Sequence, residues 1–144
     1  MRSDVPSTAD TYRQVIRRLF EEIWSQADFS NLQDFIAPQM IFHIRGQSII
    51  QTPETVMQII QRWKTAFPDV QFEVAVILVE GNLAAARVVY QGTHQAEWKG
   101  IPATGRKITV EDMMFFRFDA GQIVEVWEVA DEHSQLQQLT SQVG

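Results

Sequence analysis

The chain contains no cysteine. Disulfides, thiolate metal sites and a cysteine nucleophile are therefore excluded, and a reducing, cytoplasmic setting is expected. No apolar run approaches the roughly 20 residues a membrane helix needs, and the first residues lack the apolar segment of a secretory signal. Basic clusters are also missing: only Arg17-Arg18 and Arg106-Lys107 place two cations side by side. With 18 acidic against 12 basic residues and a net charge of -6, a nucleic-acid partner is not expected. The three histidines (His43, His94, His133) lie far apart, without the paired spacing of a metal helix, so no metal and no cofactor are expected. Gly100-Ile-Pro-Ala-Thr-Gly105 lacks the Gly-Lys-Ser/Thr ending of a phosphate loop, and no Gly-x-Ser-x-Gly elbow occurs.

What is present suits one globular domain spanning 1-144, with 1-7 a loose leader and 132-144 a C-terminal helix or tail. Ser7 or Thr8 can cap a helix, and Tyr12, Val15, Ile16, Leu19, Phe20, Ile23 and Trp24 recur at spacings of three and four. Asp28 to Pro38 reads as a turn and a short helix, and Met40 to Arg45 as a strand. Thr52-Pro53-Glu54 opens a second amphipathic helix, with threonine as cap, proline first in the helix and glutamate on the positive helix end. From Val70 the period becomes two. Val70, Phe72, Val74, Val76 and Leu78 share a face; further strands run from Leu83 to Trp98, Lys107 to Phe118 and Gln122 to Ala130. Gly92 suggests a bulge or bend. Helices in front and a meander behind indicate an α+β fold, and a strongly curved sheet with helices across its open side leaves a blind cavity.

General acid–base chemistry then remains, since it needs only a carboxylate or a histidine in a partly dry pocket. Alternation puts Ile123, Glu125, Trp127, Val129 and Asp131 on one face of the last strand, and that face is expected to point inward. A carboxyl group beside Trp127 in a cavity has its pKa raised. Asp131 reads equally as the cap of the following helix, and Glu125 as a partner of Arg106 or Arg87. Glu111 is a further polar group in the same region. His94 is either a pocket-wall or a catalytic histidine, with His43 similar. Trp63, Trp98, Trp127 and Phe116 are core residues or the walls of a ligand site.

Phe67-Pro68-Asp69, Gly92-Thr93-His94, Gly100-Ile101-Pro102-Ala103-Thr104-Gly105-Arg106 and Gly121-Gln122-Ile123-Val124-Glu125-Val126-Trp127, followed by Asp131, resemble the SnoaL-like polyketide cyclase / ester cyclase family. The resemblance runs from about Tyr12 to Leu139. It implies a cone: a curved antiparallel sheet, an α+β barrel, wrapped around N-terminal helices and enclosing an apolar pocket, often dimerising through the sheet. It also implies a cofactor-free aldol cyclisation run by an acidic residue. The family's Trp-x-x-x-Asp falls on Trp127 and Asp131, and its Gly-Thr-His on His94, so Asp131 is the expected acid/base, with His94 or Glu125 beside it. Val126 and Met113-Met114 stand where the family often has histidine. A non-catalytic module for ligand binding or dimerisation is therefore the alternative. The expected partners are a small hydrophobic molecule and a second copy, with Val124, Val126, Phe115 and Val88 as candidates for the outer face.

Overall fold

The computed structural model describes residues 7–140. Most of the expected leader, and Val143 of the expected last helix, lie outside them. The order is α1 (Thr8–Arg18), a wider π-turn (Leu19–Trp24), α2 (Leu32–Phe35), β1 (Ile36–Ile44), β2 (Gln47–Gln51), α3 (Pro53–Ala66), β3 (Gln71–Glu80), β4 (Leu83–Thr93), β5 (Lys107–Asp119), β6 (Gln122–Ala130) and α4 (Glu132–Thr140). Ser7 caps α1 by accepting from the Asp10 amide. Thr52 and Thr55 cap α3 reciprocally, with Pro53 in the first turn. Among the described residues no helix is long and apolar enough to cross a membrane.

The strands form one six-stranded sheet in the order β2-β1-β6-β5-β4-β3. All neighbours run antiparallel except β1 and β6, which are parallel. The edges β2 and β3 do not meet, so the sheet is a curved, unclosed cone. α1, the π-turn and α3 cover its inner face with Ile16, Phe20, Ile23, Ile60 and Phe67, against Phe116, Phe118 and Ile123. Ser25 ties the π-turn to β3: its hydroxyl reaches the Phe20 carbonyl at 2.8 Å and accepts the Phe72 amide at 2.8 Å.

Several expectations change. Ile36 to Pro38 belong to β1 rather than to the short helix, and Pro38 sits where the β1–β6 register shifts, so its missing N–H breaks no regular ladder. The hairpin β1–β2 was not foreseen; its second strand, Gln-Ser-Ile-Ile-Gln, is mostly exposed and does not alternate. Gly92 bulges nothing, because the β4–β5 ladder runs through it unbroken. Its need is close approach: an added Cβ would stand 3.1 Å from the Phe67 Cβ. The bulges lie elsewhere, between Val74 and Val76 of β3 and in β6 between Ile123 and Glu125. Each adds a residue to one strand and so exchanges the faces beyond it. Val76 and Leu78 therefore turn outward, Leu78 to 66% exposure. In β6 the inward set becomes Ile123, Val126, Glu128 and Ala130, while Glu125, Trp127 and Val129 face out. Val126 and Val88 are buried and so leave the outer face, which Phe115 keeps.

Candidate functional site

Between the inner sheet face and the helices lies a cavity of about 640 Å³. Apolar walls come from Trp24 and Trp63 on the helices, Trp98 on the loop after β4, and Met114, Phe116 and Val126 on the sheet. Four acids line it: Asp112 of β5 and Glu128 of β6 on the sheet, and Glu97 and Glu132 beside the loop and α4. Asp112 is 8% exposed and shares its face with Ile108, Val110, Met114, Phe116 and Phe118. The Asp131 amide donates to Asp112 Oδ1 at 3.3 Å.

Asp112 and Glu128 are side by side and poorly served by cations. Burial, the charge of Asp112 and a hydrogen bond to it push the Glu128 carboxyl up to about 8, against which Arg45 pulls only weakly. Burial likewise raises Asp112, opposed by the hydrogen bonds from Glu128 and the Asp131 amide. One proton is therefore shared, held by Glu128, while the donors around Asp112 favour its ionised form. Two adjacent carboxyls, both pushed towards their protonated forms by burial, can take a proton and give one.

A second polar group stands on the same wall. Trp98 Nε1 donates to Gln135 Oε1 at 3.0 Å, and Gln135 Nε2 donates to Tyr90 Oη at 3.0 Å. Burial, then the Asp112 charge, raises the Tyr90 pKa far above its ordinary value, so the phenol stays protonated. Over the mouth, Arg45 and Lys99 both pair with Glu132, the first residue of α4. Both cations sit in left-handed turn positions, φ 52° and 51°, each followed by glycine. Side chains adopt that conformation rarely and at a cost of order 1–3 kcal/mol.

The residues singled out from sequence divide by location. Trp63, Trp98 and Phe116 are on the cavity wall. Asp131 is exposed, and its carboxylate accepts the Ser134 amide at 3.1 Å, which is the helix-cap reading; only its backbone reaches the site. Glu125 lies on the outer face because of the β6 bulge. It bonds His43 Nε2 at 2.6 Å and Arg117 Nε at 2.9 Å, and these partners hold its carboxyl below the usual range. It is thus ion-paired, though with neither expected arginine. Trp127 is also outside, stacked on His43 with centroids 5.1 Å apart. Glu111 pairs with Arg87 there at 2.7 Å. His94 is fully buried behind the cavity: Nδ1 accepts the Thr104 amide at 3.2 Å, and the ring stacks on Phe67. It anchors the Gly100–Gly105 loop, and its Nε2 has no partner among the described residues.

Asp112, Glu128, Tyr90 and Gln135 were not among the expected site residues. Asp112 carried a signal, a single acid inside an unbroken apolar alternation from Ile108 to Phe118. Glu128 carried none, since alternation counted from Ile123 sends it outward.

The profile of the SnoaL-like polyketide cyclases matches residues 14–139, and the chain belongs to that family. Among solved structures it is similar to IdmH of Streptomyces antibioticus, described as a proposed polyketide cyclase, with 30% identity over 89% of this chain and 97% of that one and a TM-score of 0.78. AclR of Streptomyces galilaeus, described as a proposed hydroxylase, is 24% identical, covering 95% of this chain and 100% of its own at a TM-score of 0.79. A proposed SnoaL-like polyketide cyclase from Jannaschia sp. CCS1 has the same fold at 20% identity, over 99% of this chain and 100% of that one, with a TM-score of 0.81. No curated protein matches the chain in sequence.

Proposed function

We propose that this SnoaL-like chain binds a small apolar carbonyl compound in its cavity and performs cofactor-free acid–base chemistry on it with Asp112 and Glu128. The observation that carries the reading is the pair itself: two carboxyls, Asp112 and Glu128, set side by side among aromatic and aliphatic walls, where burial and their mutual charge favour keeping a proton on Glu128. Asp112, the better solvated by donors, removes a proton α to the carbonyl. Glu128 supplies a proton to the oxygen or carbon that gains the electron pair. The resulting enol or enolate attacks a second carbonyl of the same molecule, closing a ring, or is reprotonated. Walls of tryptophan and phenylalanine hold the compound folded and exclude water. A cytoplasmic setting belongs to the same reading.

The test uses 2-tetralone as probe, with exchange of its α-protons for deuterium followed by NMR. The wild-type protein should accelerate exchange, and Asp112→Asn should lower that acceleration about a hundredfold or more, the usual reach of a positioned base. Equal exchange by both proteins, with the probe bound to each, would sink the assignment. The alternative of a non-catalytic module fits the solvent-facing cap at Asp131 but gives the Asp112–Glu128 pair no purpose.

A second copy is the partner proposed for the outer face. Leu78, Met113, Phe115 and Val129 are exposed there, Val129 to 74%, around Trp127 and the Arg87–Glu111 pair. Such a continuous apolar surface is unusual on a free monomer. Sedimentation should give a dimer at micromolar protein, converted to monomer by Phe115→Glu; a wild-type monomer at high concentration refutes it.

A further inference from the structure

We infer that Tyr90 is the hydrogen-bond donor that receives the ligand's carbonyl oxygen, and that Trp98 and Gln135 exist to leave its proton free for that purpose. The inference rests on the carbonyl-ligand reading above and extends it to a named atom. The reasoning begins with the indole. Trp98 Nε1–H can only donate. Its bond to Gln135 Oε1 therefore fixes which end of the amide faces which neighbour. The amide nitrogen is left to face Tyr90, and a nitrogen with two hydrogens can only donate. So Tyr90 Oη accepts from Gln135, and its own hydrogen must find another acceptor. Among the described residues no acceptor is bonded to it.

Tyr90 lines the same cavity as Asp112 and Glu128. It is close enough to Asp112 for that charge to act on it, without a hydrogen bond between them. A buried hydroxyl hydrogen without a partner is costly, so a cavity that keeps one is made to receive an acceptor. The accepting group is a carbonyl oxygen that gains charge when the α-proton leaves. The C–H electron pair moves into the new C=C bond, the carbonyl pair onto oxygen, and the proton onto Asp112. Tyr90 stabilises the oxyanion by donating a hydrogen bond and keeps its proton. Donors fixed before the reaction need not reorganise as the charge appears. The ligand class is thus an enolisable ketone or ester with its oxygen at Tyr90 and its α-carbon towards Asp112. Trp98 and Gln135 are positioning residues.

The experiment compares binding of 2-naphthol, whose oxygen mimics that of an enol, with naphthalene, which has none, by fluorescence titration. Tyr90→Phe should weaken 2-naphthol about tenfold while leaving naphthalene within about twofold. Trp98→Phe frees the amide to rotate and accept from Tyr90, so the 2-naphthol to naphthalene affinity ratio should also fall although Tyr90 is present. The ratio cancels any change in wall packing. A ratio unchanged in Tyr90→Phe overturns the inference; a ratio unchanged only in Trp98→Phe overturns the positioning role. The acid–base reading is judged separately: if Asp112→Asn still stops 2-tetralone exchange, it survives the loss of this inference. If wild-type protein binds neither probe, both fall.

Discussion

Glu125 and Glu128 belong to the same strand, yet their carboxyls differ in almost every respect that matters. Glu125 stands outside, bonded to His43 and Arg117, and its carboxyl is held below the ordinary range. Glu128 stands inside, against another acid, and keeps its proton up to about pH 8. One residue type on one β-segment yields a permanent anion and a neutral acid. The difference is made by the bulge between Ile123 and Glu125, which decides which glutamate meets water and cations.

The strongest way to break this comparison is to remove the inner acid. The folded pKa of Glu128 lies above its unfolded value of 4.5. Below that value both states carry the proton and burial of the neutral group costs little. As pH rises towards 8 the unfolded chain releases its proton while the folded one keeps it, so stability declines, and above 8 the loss is complete. The unfolding free energy, from denaturant titrations, should fall between about pH 5 and pH 9 by an amount on the order of 3 kcal/mol. Glu128→Gln should largely flatten that slope; an equally steep slope in the variant would mean that Glu128 is not the group responsible.

A milder intervention gives the inner acid what the outer one has. Met114 is the β5 neighbour of Glu128 and faces the cavity. Met114→Lys places a cation there and should lower the Glu128 titration, followed by carboxyl NMR, by about one to three pH units. No movement would show that burial alone sets the proton affinity. The smallest effect is expected outside. Glu125→Gln removes stabilisation that is present above the ordinary carboxyl range and lost as pH falls through the lowered folded pKa. Being partly solvated, this network should contribute about 1 kcal/mol or less at neutral pH, with no difference between variant and wild type in strong acid.

The helices and the alternating strands were legible from sequence because apolar period and caps agree there, as at Thr52-Pro53 and in Ile108 to Phe118. The face assignments of β3 and β6 were not. A bulge is a backbone choice made by pairing with the neighbouring strand, and nothing in Ile-Val-Glu-Val-Trp announces it. The same reversal moved Trp127 outside and brought Glu128 in. Asp131 could be read as cap or acid, and only the boundary between β6 and α4 shows its carboxylate taking the Ser134 amide. The Trp98–Gln135–Tyr90 chain joins a loop, a helix and a strand, so no local pattern contains it.

The start of α4 and its cap residue hold three parts of the site. Asp131 lends its amide to Asp112, Glu132 grips two rim cations, and Gln135 orients the phenol. A nine-residue helix opens at lower free energy than a six-stranded sheet melts. Heating should therefore silence this protein while its circular dichroism still reports an intact scaffold, and crosslinking α4 to the sheet should close the gap between the two temperatures.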